Sequence, residues 1–196
     1  MSSGVGEFLD TVRQVDESKG SVAALEALKA QAFDREPSYF AAWGTLAART
    51  GNCAESISAF ERCCALDPGS AVYRANLGMA LIDQAIAGND AETVDEAIVR
   101  RALGELQQAI ALEKRLGYAL AGLGFAYHLL GQFDHAIEYL DRSVDAEPGL
   151  IMAWYHRGEL MRSVDQIDEA RACFERALSL DSTCEPARLS LEQLET

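Results

Sequence analysis

Proline is scarce in this chain, with 4 in 196 residues, and no segment is low-complexity. Valine, isoleucine and threonine form no alternating runs, so strands are not suggested. No apolar run approaches the roughly 18 residues that span a bilayer, and no membrane insertion is expected. The opening MSSGVGEFLDTV lacks a basic flank followed by an apolar stretch, which argues against a signal peptide and makes a cytoplasmic location the expectation. Basic residues are few: 17 Lys and Arg stand against 31 Asp and Glu, a net charge of −14. Such a charge repels phosphate backbones and anionic membranes, so no nucleic-acid partner is expected.

Motifs of chemistry are missing too. There is no phosphate loop, no H-E-x-x-H, no G-x-S-x-G and no dinucleotide fingerprint after a strand. Five cysteines occur, at 53, 63, 64, 173 and 184, with no C-x-x-C pair. An odd count without a secretion signal points to reduced thiols packed as small side chains. His135 with Glu138, and His156 with Glu159, share a helix face at a spacing that can hold a metal. No third ligand accompanies either pair, so neither enzyme activity nor a metal or cofactor is expected.

What the chain has is alanine, leucine, glutamate and arginine in quantity, which favour helix, and 49% hydrophobic residues, enough for a real core. It also has a repeat. In GLGFAYHLLGQFDHAIEYLDRSVDAEPG, residues 122–149, small residues recur between large apolar ones. Shifting by 34 places Gly124 on Gly158, Ala136 on Ala170, Leu140 on Phe174 and Ser143 on Ala177. The segment GNCAESISAFERCCALDP answers with Gly51, Phe60, Cys63 and Pro68.

Position by position this resembles the tetratricopeptide repeat family. The resemblance implies an all-α, right-handed solenoid of antiparallel helix pairs. One unit spans 37–70 and carries Phe40, Trp43, Gly44, Ala47, Ser56, Phe60 and Cys63. The third, 117–150, carries Leu120, Leu123, Gly124, Tyr127, Ala136, Leu140 and Ser143. The fourth, 151–184, carries Trp154, Gly158, Met161, Ala170, Phe174 and Ala177, with Arg157 and Ser182 departing from the pattern. The small residues at repeat position 8 allow two helices to cross closely; those at 20 and 27 are expected to face the neighbouring unit. The second unit, 71–116, is 46 residues long, 12 more than 34. Thr93 and Glu96 make a capping-box spacing, so its second helix is expected to start near Val94. An equal division would lengthen both helices by roughly 9 Å each and project a hairpin past the neighbours.

Residues 1–36 read as a degenerate helix pair. Phe8, Leu9, Val12 and Val15 line one face, DESKG makes the turn, and Ala23, Ala27, Ala30 and Phe33 line the second helix. Residues 185–196, with Pro186 in the first turn and Leu189, Leu191 and Leu194, read as a C-terminal capping helix.

By resemblance, the first helix of each unit lines the concave face. The first clear unit would offer Ser38, Ala41, Ala42 and Thr45. The later units would offer Asn76, Met79, Ile82, Tyr118, Phe125, His128, Met152, Tyr155, His156, Glu159 and Arg162. Small Ala41, Ala75, Ala121 and Gly122 would leave room for an extended peptide or a helix. The family's clamp for a C-terminal carboxylate is matched by Asn76 alone, so a heat-shock chaperone tail is not expected. The function implied is non-catalytic protein binding by an adaptor, scaffold or chaperone. The alternative is a self-assembling repeat protein, a homo-oligomer built through the solenoid ends.

Overall fold

The computed structural model describes residues 3–30, 35–87 and 94–194, and among them every regular element is an α-helix. In chain order these are α1 (Ser3–Lys19), α2 (Ser21–Lys29), α3 (Pro37–Arg49), α4 (Cys53–Leu66), α5 (Ala71–Ala87), α6 (Glu96–Leu112), α7 (Gly117–Leu129), α8 (Phe133–Ala146), α9 (Ile151–Ser163), α10 (Ile167–Leu180) and α11 (Glu185–Gln193). Consecutive helices pack antiparallel into a solenoid.

One contact repeats in all four central pairs. A β-carbon at Gly44 would stand 2.8 Å from the Phe60 ring, at Gly78 2.6 Å from Leu106 Cγ, at Gly124 2.4 Å from Leu140 Cγ, and at Gly158 2.5 Å from Phe174 Cε1. Glycine is required there because a large residue of the partner helix fills the space. The partner lies 16 positions on in three pairs and 28 in the α5–α6 pair, a 12-residue difference. The packing is therefore kept across the insertion. Groups at repeat positions 20 and 27 also make close contacts within their own unit. The backbone oxygens of Ala102 and Ala136 would sit 3.3 and 3.2 Å from β-carbons at Gly78 and Gly124. Ser143 Oγ donates to Gly117 O at 2.8 Å, and Cys63 Sγ to Pro37 O at 3.3 Å.

The insertion divides unequally. α5 and α6 have 17 residues each, against 13 or 14 in the other central helices. They gain about 6 Å and 4.5 Å rather than 9 Å each, and the remaining extra residues fall between them, where 88–93 are not described. α6 starts at Glu96, not near Val94. Asp95 is the cap, its carboxylate accepting from the amides of Ala97 and Ile98 at 3.0 and 3.2 Å. Thr93 lies outside the described residues.

The α3–α4, α7–α8 and α9–α10 turns each hold a left-handed residue: Gly51 at φ 77°, Gly131 at 69° and Asp165 at 62°. After each, an amide reaches back to the last helical turn, as Asn52 N to Ala47 O, Gln132 N to Tyr127 O and Gln166 N to Met161 O.

The ends differ from expectation in detail. DESK is helical, and α1 ends only at Gly20 with φ 84°, while Ser21 Oγ donates to Asp16 at 2.8 Å. α2 buries Ala24, Leu25 and Leu28; Ala23 and Ala27 are half-buried, and Ala30 is exposed. Phe33 is not described. In α11 the covering face is Ala187, Ser190, Leu191 and Leu194, and Leu189 points outward at 45% exposure.

Candidate partner-binding surface

The first helices of successive pairs touch: α5 packs on α7, α7 on α9, and α9 on α11, with α1 on α3 at the other end. Among the described residues, α4, α6, α8 and α10 make no comparable contact with one another. From α5 to α11 the first helices are thus the more closely spaced wall and the second helices the more spread one, while α1 meets α3 at the other end.

A cleft of about 390 Å³ lies between α1 and α3. Its floor is Leu9, Val12, Ala41, Ala42 and Leu46, and Ser38 and Thr45 stand at its edge. Arg13, Asp16 and Arg49 form a charged rim, with Arg49 paired to Asp16. Asp16 is held below the usual carboxylate range by its hydrogen bond from Ser21, with Arg49 acting the same way. Arg13 lies 3.7 Å from Asp10. The α1 and Arg49 contributions have no local signal in the sequence, since Asp16 and Arg49 are 33 positions apart.

Further along the wall the eleven residues implied by the resemblance divide by burial. Asn76, Met79, Tyr118, Phe125, His128, Met152, Tyr155 and Glu159 are half-buried, and Arg162 is exposed. Ile82 is not a surface residue: it is completely buried in the core where α5 packs against its neighbours. His156 is 9% exposed, stacked on Phe125 with ring centroids 4.0 Å apart and planes at 15°. Ala75 and Ala121 are fully buried, so they leave no open room. Gly122 is likewise occupied, since a β-carbon there would meet Leu106 and Met79 Sδ, each at 2.9 Å. Where α5 and α7 touch, the solenoid's own side chains fill the interior.

Polar groups on this wall are perturbed by their burial. The Tyr118 phenol is pushed up to about 12 by burial and by the nearby Asp83 charge. Asp83 is itself raised by burial; the sequence pattern does not single it out because it sits one residue past the implied groove positions. His128 is lowered, by burial first, with Glu159 opposing and Arg162 assisting. Burial lowers His156 to about 3, and His128 adds to the effect. Arg162 pairs with Glu159 at 2.6 Å. The five thiols are free, and burial pushes Cys63 up to about 12. Among the described residues no group of three His, Cys, Asp or Glu side chains is arranged to hold a metal, and no helix is long and apolar enough to cross a membrane.

Comparison with known proteins gives consistent results. A family model described as tetratricopeptide repeat matches residues 6–151, and a second of the same description matches 151–184. The human mitochondrial import receptor subunit TOM70 is 28% identical over 146 residues, 72% of this chain and 22% of that protein. The chain thus spans about a fifth of that relative's length. Among solved structures, TTC0263, a thermophilic TPR protein of Thermus thermophilus, superposes with a TM-score of 0.82 at 19% identity, covering 97% of this chain and 98% of that one. MamA superposes at 0.63 with 25% identity, covering 87% and 94%.

Proposed function

We propose that this chain, which belongs to the tetratricopeptide repeat family, is a non-catalytic module that holds a peptide or helix of a partner protein on its concave face. Adaptor, scaffold and chaperone roles share that action, and a cytoplasmic location is part of the reading. The observation that carries it is the half-buried apolar lining. Met79, Tyr118, Phe125, Met152 and Tyr155 all lie on first helices, and the apolar-floored cleft between α1 and α3 offers a further surface on such helices. Partly exposed aromatic and sulfur-bearing side chains of this kind gain by being covered. A peptide laid along the wall would cover them, with Arg13 and Arg49 at one end and Glu159 and Arg162 at the other to fix its direction.

The test is capture of partners from a native lysate by wild type and by a Phe125→Ala, Tyr155→Ala variant with checked folding. A partner retained by wild type and lost by the variant supports the reading. Equal retention by both sends the site elsewhere, with the α5–α6 hairpin first in line. A second reading, self-assembly through the solenoid ends, is favoured by one observation: Leu189 is exposed on the outer side of the last helix. Light scattering that shows a mass growing with concentration, without any partner, would establish it.

A further inference from the structure

His128 on α7 and His156 on α9 each have a buried Nδ1 without a hydrogen-bond partner, and a buried oxygen of Glu159 has none either. Buried polar atoms are nearly always paired, so three orphans on side chains that act on one another electrostatically require an explanation. They lie where the buried apolar core changes hands. Leu123 and Ala126 of α7 belong to the cluster built by α1 to α7, while Ala136, Leu140, Leu160 and Met161 belong to the cluster of α8 to α11. On the concave side the seam is closed by the Phe125–His156 stack at 4.0 Å, with Tyr155 tilted against the same imidazole at 5.2 Å. An uncharged imidazole suits that stack and the burial of His156. A charged one would be stripped of its hydration by burial, and no acceptor lies within hydrogen-bond reach of its Nδ1.

We infer that the α7–α9 seam is a proton-sensitive joint, closed when His156 and His128 are neutral and opened on the concave side when His156 takes up a proton. The groups acting on the pair come from both helices. On α9, Glu159 favours a proton on His128, whereas Arg162 opposes it; on α7, His128 opposes a proton on His156. The histidine of α8, His135, stacks on Tyr127 at 5.1 Å and takes no part in the stack that closes the seam. Both imidazoles are shifted below 6.5, His156 to about 3. A histidine held low in the closed state stabilises that state fully above pH 6.5. The stabilisation falls away as pH drops below 6.5, because the opened state binds the proton first. One fully released histidine raises the opening equilibrium about tenfold between pH 7.5 and 5.5. Opening at this seam leaves α8 as the outer support and changes the curvature of the inner wall.

Hydrogen exchange of the full chain at pH 7.5 and 5.5, corrected for intrinsic rates, reads the joint directly. Opening in α7 and α9 should grow about tenfold, with no comparable change in α3 and α4, and His156→Phe, which keeps the stack, should abolish the difference. In parallel, the wild-type imidazole signals followed by NMR should show His156 untitrated above pH 5 while the chain is closed. The inference is overturned if His156→Phe keeps the same pH dependence, if acceleration is spread evenly over the chain, or if His156 titrates near 6.5 in the closed protein.

Discussion

Gly124 lies so close to Leu140 that a β-carbon on it would stand 2.4 Å from Leu140 Cγ and 3.2 Å from the Ala136 carbonyl. Neither the branched side chain nor the helix backbone can give way cheaply. Gly124→Leu should therefore destabilise by about 3 kcal/mol or more through overpacking. Gly104, in the middle of α6, is the control. Nothing lies within 4 Å of a β-carbon there, and Gly104→Ala should stabilise by about 0.5–1 kcal/mol. Thermal melts of the two variants check the pair, and an unchanged Tm for Gly124→Leu would contradict the packing described.

The turn residues make opposite predictions at equivalent places. Gly131 has φ 69° and Asp165 has φ 62°. Gly131→Ala should cost about 1–2 kcal/mol, since an L side chain is strained in that region. Asp165→Gly should relieve strain and gain a few tenths of a kcal/mol, offset by the looser unfolded chain. Urea titrations of both variants measure the signs, which are the decisive result.

Arg157 occupies a place where the repeat favours a large apolar residue. Its Nε donates to Asp141 at 2.8 Å and its Nη1 to Cys173 Sγ at 3.0 Å. Asp141 is 46% exposed, so the ion pair alone is worth under about 1 kcal/mol. Arg157→Ala should cost about 1–2 kcal/mol, mostly lost stem packing, and Arg157→Leu less than about 1 kcal/mol. Equal losses in the two variants would place the stability in the polar contacts.

Phe125 serves two roles, half-exposed on the wall and stacked on His156. Phe125→Ala should cost about 1–3 kcal/mol, whereas Thr45→Ala at the cleft edge should cost under about 0.5 kcal/mol. Calorimetry separates the two. A Phe125→Ala protein as stable as wild type would mean that the seam is not held by this stack.

The repeat is legible in the sequence because it is a spacing rule. The glycines at 44, 78, 124 and 158 and their large partners at 60, 106, 140 and 174 stand out at fixed intervals, and the 12-residue insertion only delays the second partner. What is not legible depends on neighbours distant in sequence. Ile82 sits at an implied groove position yet is buried, because α5 packs there against α6 and α7. The Asp16–Arg49 rim and the floor given by Leu9 and Val12 arise from how α1 lies on α3, which no periodicity encodes. The start of α6 differs from the expected one because Asp95 is its cap, a role that Asp and Thr both favour.

The central claim, that partners lie along the inner wall, is tested most directly by photocrosslinking in living cells. A photoreactive side chain would be placed at Ala41 in the α1–α3 cleft, at Met79 on the inner wall, and at exposed Glu138 on outer helix α8. Adducts to the same protein from positions 41 and 79, with none from 138, are the predicted result. Adducts from 138 with none from 41 or 79 would contradict the account and move the working surface to the outside of the solenoid.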